Sequence, residues 1–206
     1  MTTETLTTPE TWSSLSARFR PLFEEIAAGA VQRETERTNL HREVRLLADA
    51  GLTALRVPVE LGGGGVSAPQ FFRLLIELAA AESNLAQALR SHITFVEERL
   101  YANDAGWLRR VAEGAVLGNA WTETGPVPVG GVSTTITRDG GDYLVNGTKY
   151  YTTGSLYADW IMTGARTSDG ADVIALVRRD APGVEVIDDW DGFGQRLTAS
   201  GTTVFR

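Results

Sequence analysis

The chain contains no cysteine and only two histidines, His41 and His92, among 206 residues. Without cysteine there is no disulfide, thiolate nucleophile, iron–sulfur cluster or Cys zinc site. Two histidines exclude a multi-histidine metal centre. Long apolar runs are also missing. None approaches the ~18 residues of a membrane-spanning helix, and Met1 to Glu10 is polar and Thr-rich, with no apolar signal core. Positive charge is scarce: the net charge is −7, and the 19 Lys and Arg are scattered rather than gathered into a patch. That argues against nucleic acid as a partner. These absences predict a cytoplasmic protein with neither nucleic-acid nor membrane partners.

What is present is a globular composition, 43% hydrophobic and 22% charged, with 22 glycines that imply many turns. Residues 1–11 lack any pattern and are predicted to be disordered. From Trp12, apolar residues recur at steps of three and four: Leu15, Phe19, Leu22, Phe23, Ile26 and Ala30. This is the stripe of an amphipathic helix, and Pro21 within it predicts a kink or restart. A second helix covers His41 to Ala50, stopped by Gly51. A third opens at Pro69 and is apolar nearly all round, so it is expected to be central and buried. A fourth, capped by Ser83 or Asn84, runs to about Leu100 with Leu85, Leu89, His92, Ile93 and Val96 on its apolar stripe. Asp104 caps a fifth. The run Gly62 to Gly65 is a plain turn rather than a phosphate loop, because no Gly-Lys-Ser/Thr follows it.

At Gly114 the character changes to short β segments: 116–121, 132–138, 143–151, 160–166, 173–178, 184–187 and 202–205. Strand starts roughly ten residues apart, with turn signals between them, predict an antiparallel barrel or sandwich. The expected fold class is therefore α+β multidomain, an all-α helical domain over 12–114 followed by a β domain over 115–206. The stretch from Gly141 to Gly154 reads as strand, tight turn at Asn146-Gly147, strand. Its second half, Lys149-Tyr150-Tyr151-Thr152-Thr153, offers ring faces followed by short hydroxyl donors. It is either a core hairpin or the floor of a site for a flat heteroaromatic ligand.

Ordered strings along the whole chain resemble the acyl-CoA dehydrogenase superfamily. They are Leu47-Ala48-Asp49-Ala50-Gly51-Leu52, Val57-Pro58-Val59-Glu60-Leu61-Gly62-Gly63, Trp121-Thr122-Glu123, Asp142-Tyr143-Leu144-Val145-Asn146-Gly147-Thr148-Lys149 and Ala158-Asp159-Trp160. The dehydrogenases carry a Gly-Ser-Asp loop after the Thr-Glu pair, whereas this chain has Thr124-Gly125-Pro126-Val127-Pro128-Val129-Gly130-Gly131, which counts against acyl-CoA. Gly118-Asn119-Ala120 and the segment from Asp188 to Gly201 resemble instead the flavin-dependent monooxygenase branch, the dibenzothiophene monooxygenase-like enzymes.

That resemblance implies reduced FMN taken from a separate flavin reductase, hydroperoxyflavin chemistry and a small hydrophobic or aromatic substrate. FAD in an acyl-CoA dehydrogenase is the enzyme alternative, and a scaffold that kept the fold without chemistry is the other. Members of the superfamily also have a C-terminal helical domain that this sequence does not include, so it is expected to be a fragment or a naturally short relative, and a homo-oligomer if that domain is present. By position, Asn119, Trp121 and Thr122 would line the flavin from the first strand, Tyr151, Thr152 and Thr153 from the hairpin, and Trp190 would flank the ring. Arg196 and Ser200 would lie near the phosphate or a neighbouring subunit. His92, with Phe95 and Val96, would face the flavin, and His92 and Thr153 are the candidate catalytic pair. Hydroxyl and amide donors suit the flavin edge, and a near-neutral histidine could move a proton. Each has a plainer reading: His92 as a satisfied core residue, Trp190 as a cap on the β core, Glu123 as a surface charge, and Asp188, Asp189 and Asp191 as solvated loop carboxylates.

Overall fold

The computed structural model describes residues 10–125 and 131–206, so Met1 to Pro9 and most of the loop after Gly125 lie outside the described residues. Among the described residues, seven α-helices come first. α1 (Trp12–Ala28) begins at Thr11, whose hydroxyl accepts from the Ser14 N–H at 3.3 Å. Glu10 and Thr11 are thus ordered, contrary to the expected disorder up to residue 11. The Glu10 carbonyl also accepts from the Gln70 side chain at 2.8 Å. α1 buries Leu15, Phe19, Phe23 and Ile26, the predicted stripe. It runs through Pro21 without interruption, and the break falls at Gly29 before α2 (Ala30–Glu36). There the Arg33 guanidinium folds back to cap the Ile26 carbonyl at 2.6 Å, a stronger donor at the helix end than the Gly29 N–H, which reaches the same oxygen at 3.3 Å.

α3 (His41–Asp49) and α4 (Ala68–Ala81) follow. α4 is not buried all round as expected. Phe71, Leu74 and Leu78 face the core, but Phe72 is 56% and Ile76 70% exposed. A single layer of helices covers only one side of α4. The expected fourth helix divides at Leu89 into α5 (Ser83–Ala88) and α6 (Arg90–Tyr101), and Glu82 rather than Ser83 or Asn84 occupies the cap. α7 (Ala105–Ala112) is capped by Asp104, as predicted.

Seven strands then form one curled sheet: β1 (Leu117–Ala120), β2 (Thr135–Asp139), β3 (Asp142–Lys149), β4 (Trp160–Thr167), β5 (Asp172–Arg178), β6 (Val184–Ile187) and β7 (Thr202–Phe205). All seven predicted β segments are present. The sheet is an open half-barrel and mixed rather than purely antiparallel. β4 pairs β5 antiparallel along one edge, and β1 then β2 in parallel along the other. Turn signals report only strands adjacent in sequence, while a parallel pair needs a crossover, here supplied by the β2–β3 hairpin between β1 and β4.

The predicted turn at Asn146-Gly147 is not a turn. β3 passes straight through it, and the β2–β3 hairpin turns at Gly140-Gly141. Asn146 is the last residue of β3 paired with β2, and Gly147 the first paired with β7. The dipeptide therefore marks where one strand crosses from one curl of the sheet to the next. Glycine is required there because a Cβ would lie 2.3 Å from the Thr134 hydroxyl.

A buried ionic triad and a buried ion pair tie the elements together. Arg33 bridges Glu43 at 3.5 Å and Glu82 at 3.2 Å, with all three side chains no more than 10% exposed. Glu123, read from sequence as a surface charge, is paired with Lys149, whose side chain is fully buried. Glu123 also accepts from the Ser133 and Thr134 N–H groups at 2.7 and 3.0 Å, so it pins the end of the β1 segment to the start of β2 and the end of β3. Burial pushes the Glu123 carboxyl up, but the bonds from Lys149, Ser133 and Thr134 outweigh it and hold the pKa at about 2.

Arg33→Met leaves Glu43 and Glu82 buried without their cation and is expected to cost about 3 to 5 kcal/mol in urea unfolding at pH 7. A carboxyl whose folded pKa lies below its unfolded value stabilises the fold above the unfolded pKa, and that contribution fades as pH falls. Stability linked to Glu123 should therefore be complete above pH 4.5 and decline towards pH 2. Paired urea titrations of wild type and Glu123→Gln check this: the variant should be less stable at pH 7, and the difference should narrow below pH 4.

Candidate active site

The end of β3 delivers Tyr150 and Tyr151 to the rim of the half-barrel. Tyr151 takes a left-handed backbone, φ +55°, which costs of order 1 kcal/mol or more for a bulky residue. Hydrogen bonds on both sides hold it: the Tyr150 N–H donates to Thr122 O at 2.8 Å and the Thr152 N–H to Gly201 O at 2.9 Å. The result is a tyrosine ring 57% exposed, with Trp190 edge-on at 6.1 Å and an interplanar angle of 86°. Trp190 is fixed in turn. Its indole N–H donates to Gln195 O at 2.8 Å, and Arg37 pairs with the neighbouring Asp191 at 2.8 Å.

Beside this aromatic wall lies a row of hydroxyls. Thr153 and Ser200 share a hydrogen bond of 2.8 Å, and Ser200 and Thr198 another of 2.8 Å. The Asn119 amide donates to the Thr153 carbonyl at 3.1 Å and to the Ser91 hydroxyl. Thr122 bridges Tyr150, and Trp121 next to it is 41% exposed. Asn119, Trp121, Thr122, Tyr151, Thr153, Trp190 and Ser200 are thus gathered from β1, the β3 exit and the segment before β7. An exposed ring face with short hydroxyl groups alongside suits a flat heteroaromatic ligand with a polar edge.

Other expected site residues point elsewhere. His92 is 1% exposed and both its ring nitrogens are used. Nε2 meets the Thr53 carbonyl at 2.9 Å, which can only accept, and Nδ1 meets the Leu117 N–H at 3.3 Å, which can only donate. Those partners fix the neutral Nε2–H tautomer, and burial lowers the pKa further. His92 is a core strut between α6, residues 52–54 and β1, with no nitrogen free to move a proton. Phe95 and Val96 pack with Leu108 and Met162 in the core. Thr152 is fully buried, donating to Gly201 O at 3.0 Å and accepting from the Thr203 hydroxyl at 2.8 Å, so its side chain is spent inside the sheet. Arg196 lies 4.0 Å from Glu34 and lines a polar cavity of about 260 Å³ together with Arg37, Asp188, Asp189, Trp190 and Asp191. Its three carboxylates outnumber the two arginines, and Asp191 already takes Arg37, so the cavity carries no surplus of positive charge for a phosphate. An apolar cavity of about 430 Å³ lies between β3, β5 and β6, lined by Leu144, Val145, Leu176 and Phe205 and by none of the expected site residues.

Sequence reasoning missed the polar side chains that carry these residues: Ser91 beneath Asn119, Ser155 donating to the Asn119 carbonyl at 2.9 Å, and Tyr157 donating to Leu197 O at 2.7 Å. Burial pushes the Tyr157 phenol well above its usual range, so it stays a neutral donor. The available signal was a polar residue set within an apolar helical stripe or a β-to-β connection.

Comparison with known proteins gives the wider context. Residues 14–114 match the acyl-CoA dehydrogenase N-terminal domain and residues 119–206 the acyl-CoA dehydrogenase middle domain. A dibenzothiophene monooxygenase of Rhodococcus qingshengii is 33% identical over 205 residues, covering 90% of this chain and 47% of the relative. The putative acyl-CoA dehydrogenase YdbM of Bacillus subtilis is 30% identical over 200 residues, covering 92% of this chain and 51% of the relative. The FMN-bound crystal structure of TdsC from Paenibacillus sp. A11-2 superposes with a TM-score of 0.80 at 31% identity, covering 92% of this chain and 50% of TdsC, and TdsC has also been solved with FMN and indole. The chain spans about half the length of these relatives. With two adjoining domain matches in order and a fold shared at this identity, the chain belongs to the acyl-CoA dehydrogenase superfamily, of which it carries the N-terminal and middle domains.

Proposed function

We propose that this chain is the N-terminal and middle part of a flavin-dependent monooxygenase that uses reduced FMN, supplied by a separate flavin reductase in the cytoplasm, to oxygenate a small hydrophobic or aromatic substrate in a homo-oligomeric enzyme. The observation that carries the reading is Tyr151. Its ring is exposed on a strained backbone, edge-on to Trp190, two residues before a hydroxyl bonded to Ser200. Strain held in place by surrounding bonds is a mark of a functional position. The names of the relatives point to the same chemistry, and the complex of TdsC with FMN and indole supports a flat aromatic substrate class.

Tyr151, Trp190 and Trp121 would supply the apolar wall of the flavin site. The Thr198 hydroxyl donates to Gln195 O at 2.9 Å, so the Ser200 proton goes to Thr198 and the Thr153 proton to Ser200; the Thr153 and Ser200 oxygens would accept from the N–H groups of the flavin edge, and Asn119, through the Thr153 carbonyl, would hold them in register. Bound reduced FMN would supply activation of dioxygen and transfer of one oxygen atom. The chain's own contribution is to orient the ring, keep bulk water from its face and present a fixed hydroxyl for a proton. That hydroxyl is Thr153 rather than His92. The similarity to YdbM supports one rival, an FAD-linked acyl-CoA dehydrogenase.

Flavin released by denaturing the purified protein separates the two. FMN, together with incorporation of one atom of labelled dioxygen into indole or dibenzothiophene, is the expected result. Bound FAD that is bleached by an acyl-CoA would sink the proposal. Tyr151→Ala is expected to weaken FMN binding about tenfold, the scale of one lost aromatic stacking contact, in a fluorescence titration.

A further inference from the structure

Segment Gln195–Ser200 has two residues in the left-handed region besides Tyr151 opposite it: Gln195 at φ +53° and Ala199 at φ +52°. Neither is glycine, so the segment holds this shape only because its surroundings impose it. The strongest constraint falls on Leu197. Both halves of its backbone are captured by side chains: its N–H donates to Asn84 Oδ1 at 3.1 Å, and its carbonyl accepts from the Tyr157 hydroxyl at 2.7 Å.

The Asn84 amide cannot turn over. Its Nδ2 donates to Glu82 Oε1 at 2.8 Å, and a carboxylate only accepts, so Oδ1 must face the Leu197 N–H. Glu82 is held by Arg33 at 3.2 Å, and Arg33 by Glu43 at 3.5 Å. All four polar residues are buried, between 5% and 8% exposed. The chain of bonds therefore runs from the helical core to the segment that carries the Thr198 and Ser200 hydroxyls. That segment is tied to the Tyr151 loop by Thr152 N–H to Gly201 O at 2.9 Å and Gly154 N–H to Thr198 O at 3.0 Å.

We propose that Asn84, oriented by the Glu82–Arg33 pair, is a positioning residue that clamps Leu197 and so sets the Thr153–Ser200 hydroxyl pair in register with the aromatic wall. The link to flavin rests on the proposed function, whereas the clamp itself does not. Asn84 touches neither expected ligand nor reacting atoms, and its effect travels through the backbone of Gln195–Ser200.

Two measurements on the same variants keep the two readings apart. Hydrogen exchange of the flavin-free protein should show Asn84→Leu raising the exchange of the Leu197, Thr152 and Gly154 amides about tenfold or more, the scale of one lost buried hydrogen bond, while β4 and β5 amides hold their protection. FMN titration should show a loss of affinity of similar size in Asn84→Leu and none in Leu176→Ala, a destabilised control on β5. The Glu82→Gln/Asn84→Asp double variant exchanges donor and acceptor between the two side chains while keeping the net charge, and should recover part of both losses, the remainder being the Asn84 N–H that Glu82 Oε1 also accepts at 3.3 Å. Unchanged exchange at Leu197 in Asn84→Leu overturns the clamp, as does a rise in exchange with FMN affinity intact. Equal loss of FMN binding in Leu176→Ala would also overturn it, by reducing Asn84 to general stability. A wild-type protein that takes up no FMN counts against the flavin reading, and the exchange data then decide the clamp alone.

Discussion

A Cβ on Gly154 would lie 2.3 Å from the carbonyl oxygen of Ala88, and this glycine takes φ +77°. The loop after Tyr151 therefore presses directly onto the break between α5 and α6, at a distance that no other residue allows. Much else depends on that close approach. It brings residues 152–155 within reach of both β1 and the segment before β7, so that the Thr153 carbonyl receives Asn119 and the Gly154 N–H reaches Thr198. It also lets Leu156, Tyr157, Leu197 and Ala199 share one core with Leu47, Leu78 and Leu85 from the helices. The helical and β parts meet through a continuous apolar contact, with polar struts placed inside it.

Those struts follow one rule. Three buried polar side chains at the seam are each matched to partners that can play only one role. His92 sits between an obligate acceptor and an obligate donor, Asn84 between a carboxylate and an N–H, and Lys149 against Glu123 and the Trp121 carbonyl. Such pairings remove alternative arrangements, because any flip leaves a buried group unsatisfied. The seam is thereby specific as well as cohesive, and the aromatic wall at its edge is anchored to it although it faces solvent.

Legibility differed from element to element. The seven strands were readable because short runs separated by Gly and Asp turns leave a local record. α1 and α7 were readable because their stripe and cap lie within a few residues of each other. The Asn146-Gly147 dipeptide misled because the same residues that make a hairpin turn also suit a strand that bends between partners, and only the pairing with β7 distinguishes them. His92 misled for a related reason: its spacing located the apolar stripe, but whether its nitrogens are free depends on Thr53 and Leu117, which are distant in sequence.

The sequence by itself determined the order of helices and strands, the superfamily and the stretch from Tyr151 to Thr153 as the place to look, because all three rest on local pattern and ordered strings. Only the tertiary structure decided which polar side chains turn towards the candidate site and which into the sheet. Thr152 and Thr153 are neighbours of one chemical type, yet one bonds inward to Thr203 and the other across to Ser200. Strand alternation predicts that they part, but which of them meets the aromatic wall is set by the left-handed turn at Tyr151 and by the clamped segment opposite. Those constraints come from residues at Asn84, Tyr157 and Gly201, far along the chain and close in space.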